Sequence, residues 1–163
     1  MDTCKGKRKL SLLNTDFKTL TGVETSRHND IIDHTVSANQ FAVGKNKKIH
    51  QAIALARDAI FASSKIKSGC GITDLDFEAA FNSLCMEWVK AVLRKKGLHP
   101  EAVSRIKRIY SDGVTIPVVN SKHGEDIKNS SRSLRQGDCP SSLWFSYGVN
   151  PLLIFLKEDS KAS

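Results

Sequence analysis

The sequence predicts an α+β fold, helix-rich, with its strands paired antiparallel. Three observations carry that prediction. Apolar residues recur at helical spacing in several separate stretches. The turn-forming run Ser121-Lys122-His123-Gly124 separates two β-prone segments, as in a hairpin. The order of segments is strand, helices, strand, two helices, hairpin, helix, which lacks the regular alternation of a doubly wound sheet.

Taken in order, residues 8–13 are basic and then apolar, a strand or extended segment. Residues 16–33 are polar with scattered apolar positions and read as a helix without a clear apolar stripe. Residues 44–48 form a basic loop. Beyond it, Ile49, Ile53, Ala56 and Ile60 share one helical face, with Lys48, Gln51 and Arg57 off it. Residues 70–77 are a compact apolar run between glycines and Leu75-Asp76-Phe77, and their length predicts a buried strand. Leu84, Trp88 and Val92, with Val89 and Leu93, predict a helix stopped by Gly97. Pro100 opens the next helix, with Val103, Ile106 and Ile109 inward and Arg105, Lys107 and Arg108 largely outward. Residues 114–120 and 127–132 are the hairpin arms. A last apolar helix is expected over 141–156, interrupted near Gly148 and Pro151. Residues 1–156 therefore read as one domain, and 157–163 as a polar, disordered tail.

With 163 residues, 40% hydrophobic and 26% charged, the chain is long and apolar enough to bury a core. No apolar run reaches the roughly 20 residues that span a bilayer. The basic start, Met1 to Lys9, has no apolar signal core behind it. An intracellular protein of the cytoplasm or nucleus, with no membrane partner, is expected. Cys4, Cys70, Cys85 and Cys139 lie far apart, with no Cys-x-x-Cys pair, which argues against a zinc site or a disulfide framework. Lys plus Arg number 25 against 17 for Asp plus Glu, a net charge of +8. Such an excess suits a polyanion, since each cation placed on a phosphate releases counterions, and it equally suits a solvated basic surface.

Three places carry candidate chemistry. Asp76 ends the predicted buried strand, where a carboxylate is costly unless it is paired or bound to a cation. A metal ligand and an N-cap for the following helix are both open to it. Asp74 falls on the same face of an alternating strand. Arg135-Gln136-Gly137-Asp138 sits between hairpin and helix, where a glycine lets backbone come close to a base or sugar, or simply makes a turn. Lys7-Arg8-Lys9 and Lys45, Lys47 and Lys48 could clamp phosphates or remain solvated.

The order and spacing of these segments resemble one family. Arg8-Lys9-Leu10-Ser11-Leu12-Leu13-Asn14, with Asp16-Phe17-Lys18, resembles the fingers motif of non-LTR (LINE-like) retrotransposon reverse transcriptases. Gln40-Phe41-Ala42-Val43-Gly44-Lys45, followed by Ile49-His50 and the helix at 54–60, resembles their second motif. Leu75-Asp76-Phe77-Glu78-Ala79-Ala80-Phe81-Asn82 resembles the palm motif Leu-Asp-Phe-x-Lys-Ala-Phe-Asp. The string from Ser131 to Asp138, with Leu143, Phe145 and Pro151-Leu152-Leu153, resembles the next palm motif. The resemblance runs from about residue 7 to 156.

The resemblance implies the fingers and part of the palm of a right-hand polymerase, an RNA-directed DNA polymerase working with two Mg2+ ions. Asp76 is then the catalytic metal ligand, helped by the Phe77 carbonyl. Phe81 is then a steric gate against the ribose 2′ hydroxyl; a core aromatic is the other reading, and the two are compatible. Arg8 and Lys45 bind the incoming dNTP, Gln136 touches the dNTP and the template, and Gly137 lines the template. The implied partners are an RNA template, a DNA primer, a dNTP, and the rest of the palm and the thumb in a longer polyprotein. Lys45 replaces an arginine, Ala79 a lysine and Asn82 an aspartate. Lys47 and Lys48 are extra residues, and Ser133, Cys139, Pro140 and Ser142 depart from the usual glycine and proline pattern. The family takes further carboxylates from an Asp-Asp hairpin. This chain holds no Asp-Asp dipeptide, and Glu158-Asp159 has no apolar strand beside it. The expectation is a fragment, truncated before that hairpin and the thumb and inactive alone. The alternative is a non-catalytic nucleic-acid-binding remnant.

Overall fold

The computed structural model describes residues 10–66, 72–111, 113–128 and 133–162. Helices dominate: α1 (Thr15–Asn29), α2 (Ile32–Thr35), α3 (Ile49–Lys65), α4 (Ala80–Ser83), α5 (Met86–Lys95), α6 (Pro100–Ser111) and α7 (Ser141–Ala162). Between α6 and α7 lie four two-residue strands, β1 (Val114–Thr115), β2 (Val118–Val119), β3 (Lys122–His123) and β4 (Ile127–Lys128). The architecture is α+β, mixed helices with small antiparallel sheets. No helix among the described residues is long and apolar enough to cross a membrane.

The core lies where α5 packs on both α6 and α7. On α5, Val89 and Leu93 stand one turn apart and are fully buried. On α6, Val103 and Ile106 are buried and Ile109 is half-buried, as the spacing predicts, and Tyr110 is buried beside them without having been expected there. Leu143, Trp144 and Tyr147 complete the cluster from α7, and Ile32 from α2. Each such side chain contributes about 1.5–3 kcal/mol by leaving water. Gly97 ends α5 as its position predicts. At φ +84° it turns the chain so that Leu98 N–H donates to Leu93 O and Gly97 N–H to Arg94 O, the paired bonds of a Schellman stop.

The hairpin forms with β1 on β4 (Val114↔Lys128) and β2 on β3 (Val118↔His123). Its turn is Asn120-Ser121, earlier than the run 121–124, because both residues take positive φ (50° and 62°), the geometry that matches strand twist. Residues 129–132 of the second arm lie outside the described residues.

Two strand expectations fail. Residues 10–13 form no strand, although Ser11 N–H donates to Gln136 O at 2.9 Å. Residues 72–77 form no strand either and are exposed, with Ile72 at 61% and Leu75 at 70% (Cys70 and Gly71 lie outside the described residues). A strand exists only through its ladder, and among the described residues no segment pairs with this one. The apolar face of α3 forms as predicted but stays exposed. α7 passes through Pro151 and runs to Ala162, beyond the predicted end at 156, since residues 152–157 are good helix formers with no glycine stop.

α1 docks through polar residues. Thr21, Glu24 and His28 are its buried side chains, one or two turns apart. The His28 ring meets Trp144 edge-on at 4.8 Å, and its Nε2 lies 3.4 Å from Glu24 Oε1. Burial pushes the His28 pKa below its ordinary 6.5, against the pull of Glu24. The neutral ring is thus the folded form. Its stability contribution is complete above about pH 6.5 and is lost as pH falls through the lowered folded pKa. Thermal melts from about pH 7.5 to 5.5 should show a falling Tm, with the slope reduced in His28→Gln.

Candidate nucleotide and metal site

The loop at 133–138 ties the separated motifs together. Leu134 N–H donates to Phe81 O at 2.7 Å, and Ser133 N–H to Leu84 O at 3.1 Å, which fastens the segment after Asp76 to the loop. On its other side, Ser11 N–H donates to Gln136 O. Gly137 sits at φ +99°, and a Cβ there would meet Ser11 O at 3.0 Å, so only glycine permits this approach without strain. The first, third and fourth motif segments, far apart in sequence, therefore meet at one loop.

Buried groups hold the loop in place. Arg135 lies over Phe17 (4.8 Å) and Tyr110 (5.2 Å) and donates to Ile109 O. Asp138 is buried and accepts from Tyr110 OH at 3.1 Å. Burial disfavours the charged form of both groups, pushing the pKa of the Asp138 carboxyl and of the Tyr110 phenol upward. Ser141 Oγ donates to Arg135 O at 2.6 Å where α7 begins. Asp138 is visible in the sequence only as part of the Arg135–Asp138 string, and Tyr110 is not singled out there at all. Their pairing joins residues 28 positions apart, and nothing local signals it.

Asp76 is exposed in the irregular segment before α4, not at the end of a buried strand. Nor does it cap a helix. The N-cap of α4 is Ala79, in the left-handed region at φ 51°, with no side-chain cap. The segment is anchored instead by aromatic contacts. Phe145 of α7 meets Phe77 at 6.0 Å and Phe81 at 5.3 Å. Phe81 is half-buried against the core, so the core-packing part of its expected role is present. With its water-facing carboxylate and the adjacent Phe77 carbonyl, Asp76 suits Mg2+, which binds through one or two carboxylates and keeps waters or substrate phosphates. Among the described residues no group of three or more His, Cys, Asp or Glu could hold a metal by itself. Glu158 and Asp159 lie within helix α7, not on a strand.

Lys45 is not drawn to the loop at 133–138. Its ammonium pairs with Asp30 at 2.6 Å and its amide donates to Asp33, and the Asp30 hydrogen bond raises its pKa. Lys45 is exposed, so the pair can exchange with another anion at little cost. Arg8 lies outside the described residues, two positions before Leu10, whose Cδ1 approaches the Cβ position of Gly137 at 3.7 Å.

Comparison with known proteins places this arrangement. A family model described as "Reverse transcriptase (RNA-dependent DNA polymerase)" matches residues 2–162. The Xenopus laevis "Transposon TX1 uncharacterized 149 kDa protein" is 23% identical over 155 residues, 94% of this chain but 12% of that protein. The chain thus spans a small part of the length of this relative. No solved structure matches.

Proposed function

The chain belongs to the reverse transcriptase (RNA-dependent DNA polymerase) family, and from that premise we propose that it forms the fingers and first half of the palm of an RNA-directed DNA polymerase of the non-LTR retrotransposon kind. The supporting observation is the meeting of motif segments at the loop 133–138, with Phe81 bonded to Leu134 and Gln136 to Ser11. In this reading residues 1–156 act as one domain inside the cell.

Asp76 and the Phe77 carbonyl hold the metal. Magnesium there supplies Lewis acidity toward the primer 3′ hydroxyl and neutralises charge on the α-phosphate. The residues of the chain position the reactants. The Phe81 ring, held by Phe145, stands against the sugar and excludes a 2′ hydroxyl. Gln136 and Gly137 present backbone to the nascent base pair and template. Arg8 and Lys45 take the triphosphate, Lys45 after leaving Asp30. The chain has no Asp-Asp pair, so Asp76 meets only part of the carboxylate requirement. The remaining carboxylates and the thumb come from a longer polyprotein.

Two assays on the 163-residue protein test this reading. It should bind an RNA template–DNA primer duplex with an affinity that falls steeply with salt. It should give no extension product with dNTPs and Mg2+. Extension that Asp76→Ala abolishes would show a complete site within these residues. Duplex binding unaffected by substitution at Gln136 would place the nucleic acid elsewhere.

A further inference from the structure

A groove runs between α1 and α6. Its two compartments, about 670 and 430 Å³, share Glu24, Arg27 and Arg105 and so adjoin. The walls are aliphatic, with Leu20 and Val23 of α1 and Ile31, just before α2, all exposed. Arg27, Arg105 and Arg108 form the rim. The floor is Glu24, 4% exposed, whose Oε2 faces Arg105 (3.4 Å) and Arg27 (3.6 Å). Its Oε1 is buried and faces the His28 Nε2 at 3.4 Å.

We propose that this groove docks an acidic amphipathic helix of a partner protein, separate from the polymerase substrates. Charge favours an acidic occupant, since Arg27, Arg105 and Arg108 outnumber Asp16 and Glu24 in the larger compartment and Arg108 has no part in the Glu24 pairs. The walls favour a helix over a nucleic-acid strand. Single strands bind by stacking on aromatic rings; none lines the larger compartment, and the smaller holds only the imidazoles of His28, His34 and His99. Aliphatic side chains spaced along a helix accept leucine-like anchors at i, i+3 and i+7.

The test uses the 163-residue protein and a fluorescein-labelled helix of roughly 18 residues, long enough to hold its shape, with leucines on one face and glutamates flanking them. Anisotropy should report micromolar binding that weakens with salt. Amide NMR shifts should map it to α1 and α6. Arg108→Glu and Val23→Asp should each weaken binding by about tenfold, while the charge-matched Arg57→Glu on α3 leaves it unchanged. Thermal melts confirm that the variants fold. Absent binding, binding unaffected by Arg108→Glu, or an oligouridine that binds the groove more tightly than the peptide would each overturn the proposal.

Discussion

Replacing Asp76 by alanine in the full polymerase that carries this segment is expected to cut primer extension by more than about 100-fold. Losing a residue that merely supports a metal ligand costs 10–100-fold, and Asp76 is proposed as a ligand itself. Stability should not change with it. Asp76 is exposed, does not cap α4, and lies in an unpaired segment, so its removal should stay within about 0.5 kcal/mol. Steady-state kinetics and a thermal melt on the same variant separate the two effects. Asp74→Ala, in the same exposed stretch, should leave the rate within a few-fold. Equal losses at both positions would assign the effect to local charge rather than ligation.

Trp144→Ala should have the largest effect on folding, about 3–5 kcal/mol by urea denaturation. Trp144 is 1% exposed at the junction of α1 with the helical core, stacked on Tyr147 at 6.2 Å and against the His28 ring. Against a typical total of about 5–15 kcal/mol, that loss removes much of the folded population. The chemistry of the site sharpens the expectation. The Trp144 Nε1 has no hydrogen-bond partner among the described residues, so Trp144→Phe removes an unsatisfied donor along with some volume. It should cost far less than alanine. Trp88, 49% exposed, makes a suitable contrast.

The helices were legible because their cores repeat at helical spacing. Val89 with Leu93, and Val103 with Ile106, declared both burial and direction, and Gly97 and Pro100 marked the boundaries. The hairpin was legible for the same local reason, its turn displaced only by the left-handed preference of Asn120 and Ser121. What escaped is non-local. The burial of α1 depends on Thr21, Glu24 and His28, which carry no hydrophobic signal. Residues 72–77 have strand composition, but pairing is a property of two segments, and composition reports only one. At the site, the motif around Gln136 was visible as a string, whereas its junction with Ser11 and Phe81 was not. Asp138, read as part of that string, belongs to the interior through Tyr110.

The central claim is that Asp76 anchors the catalytic metal. Paramagnetic broadening of backbone amides tests it most directly, with Mn2+ in place of Mg2+ because both prefer oxygen ligands, in the presence of a dNTP. A single carboxylate binds weakly, and broadening still detects a sparsely occupied site. The account predicts broadening centred on Asp76 and Phe77, reaching Phe81, and lost in Asp76→Ala. Broadening centred on Glu158 and Asp159, or persisting around residue 76 in that variant, would contradict it.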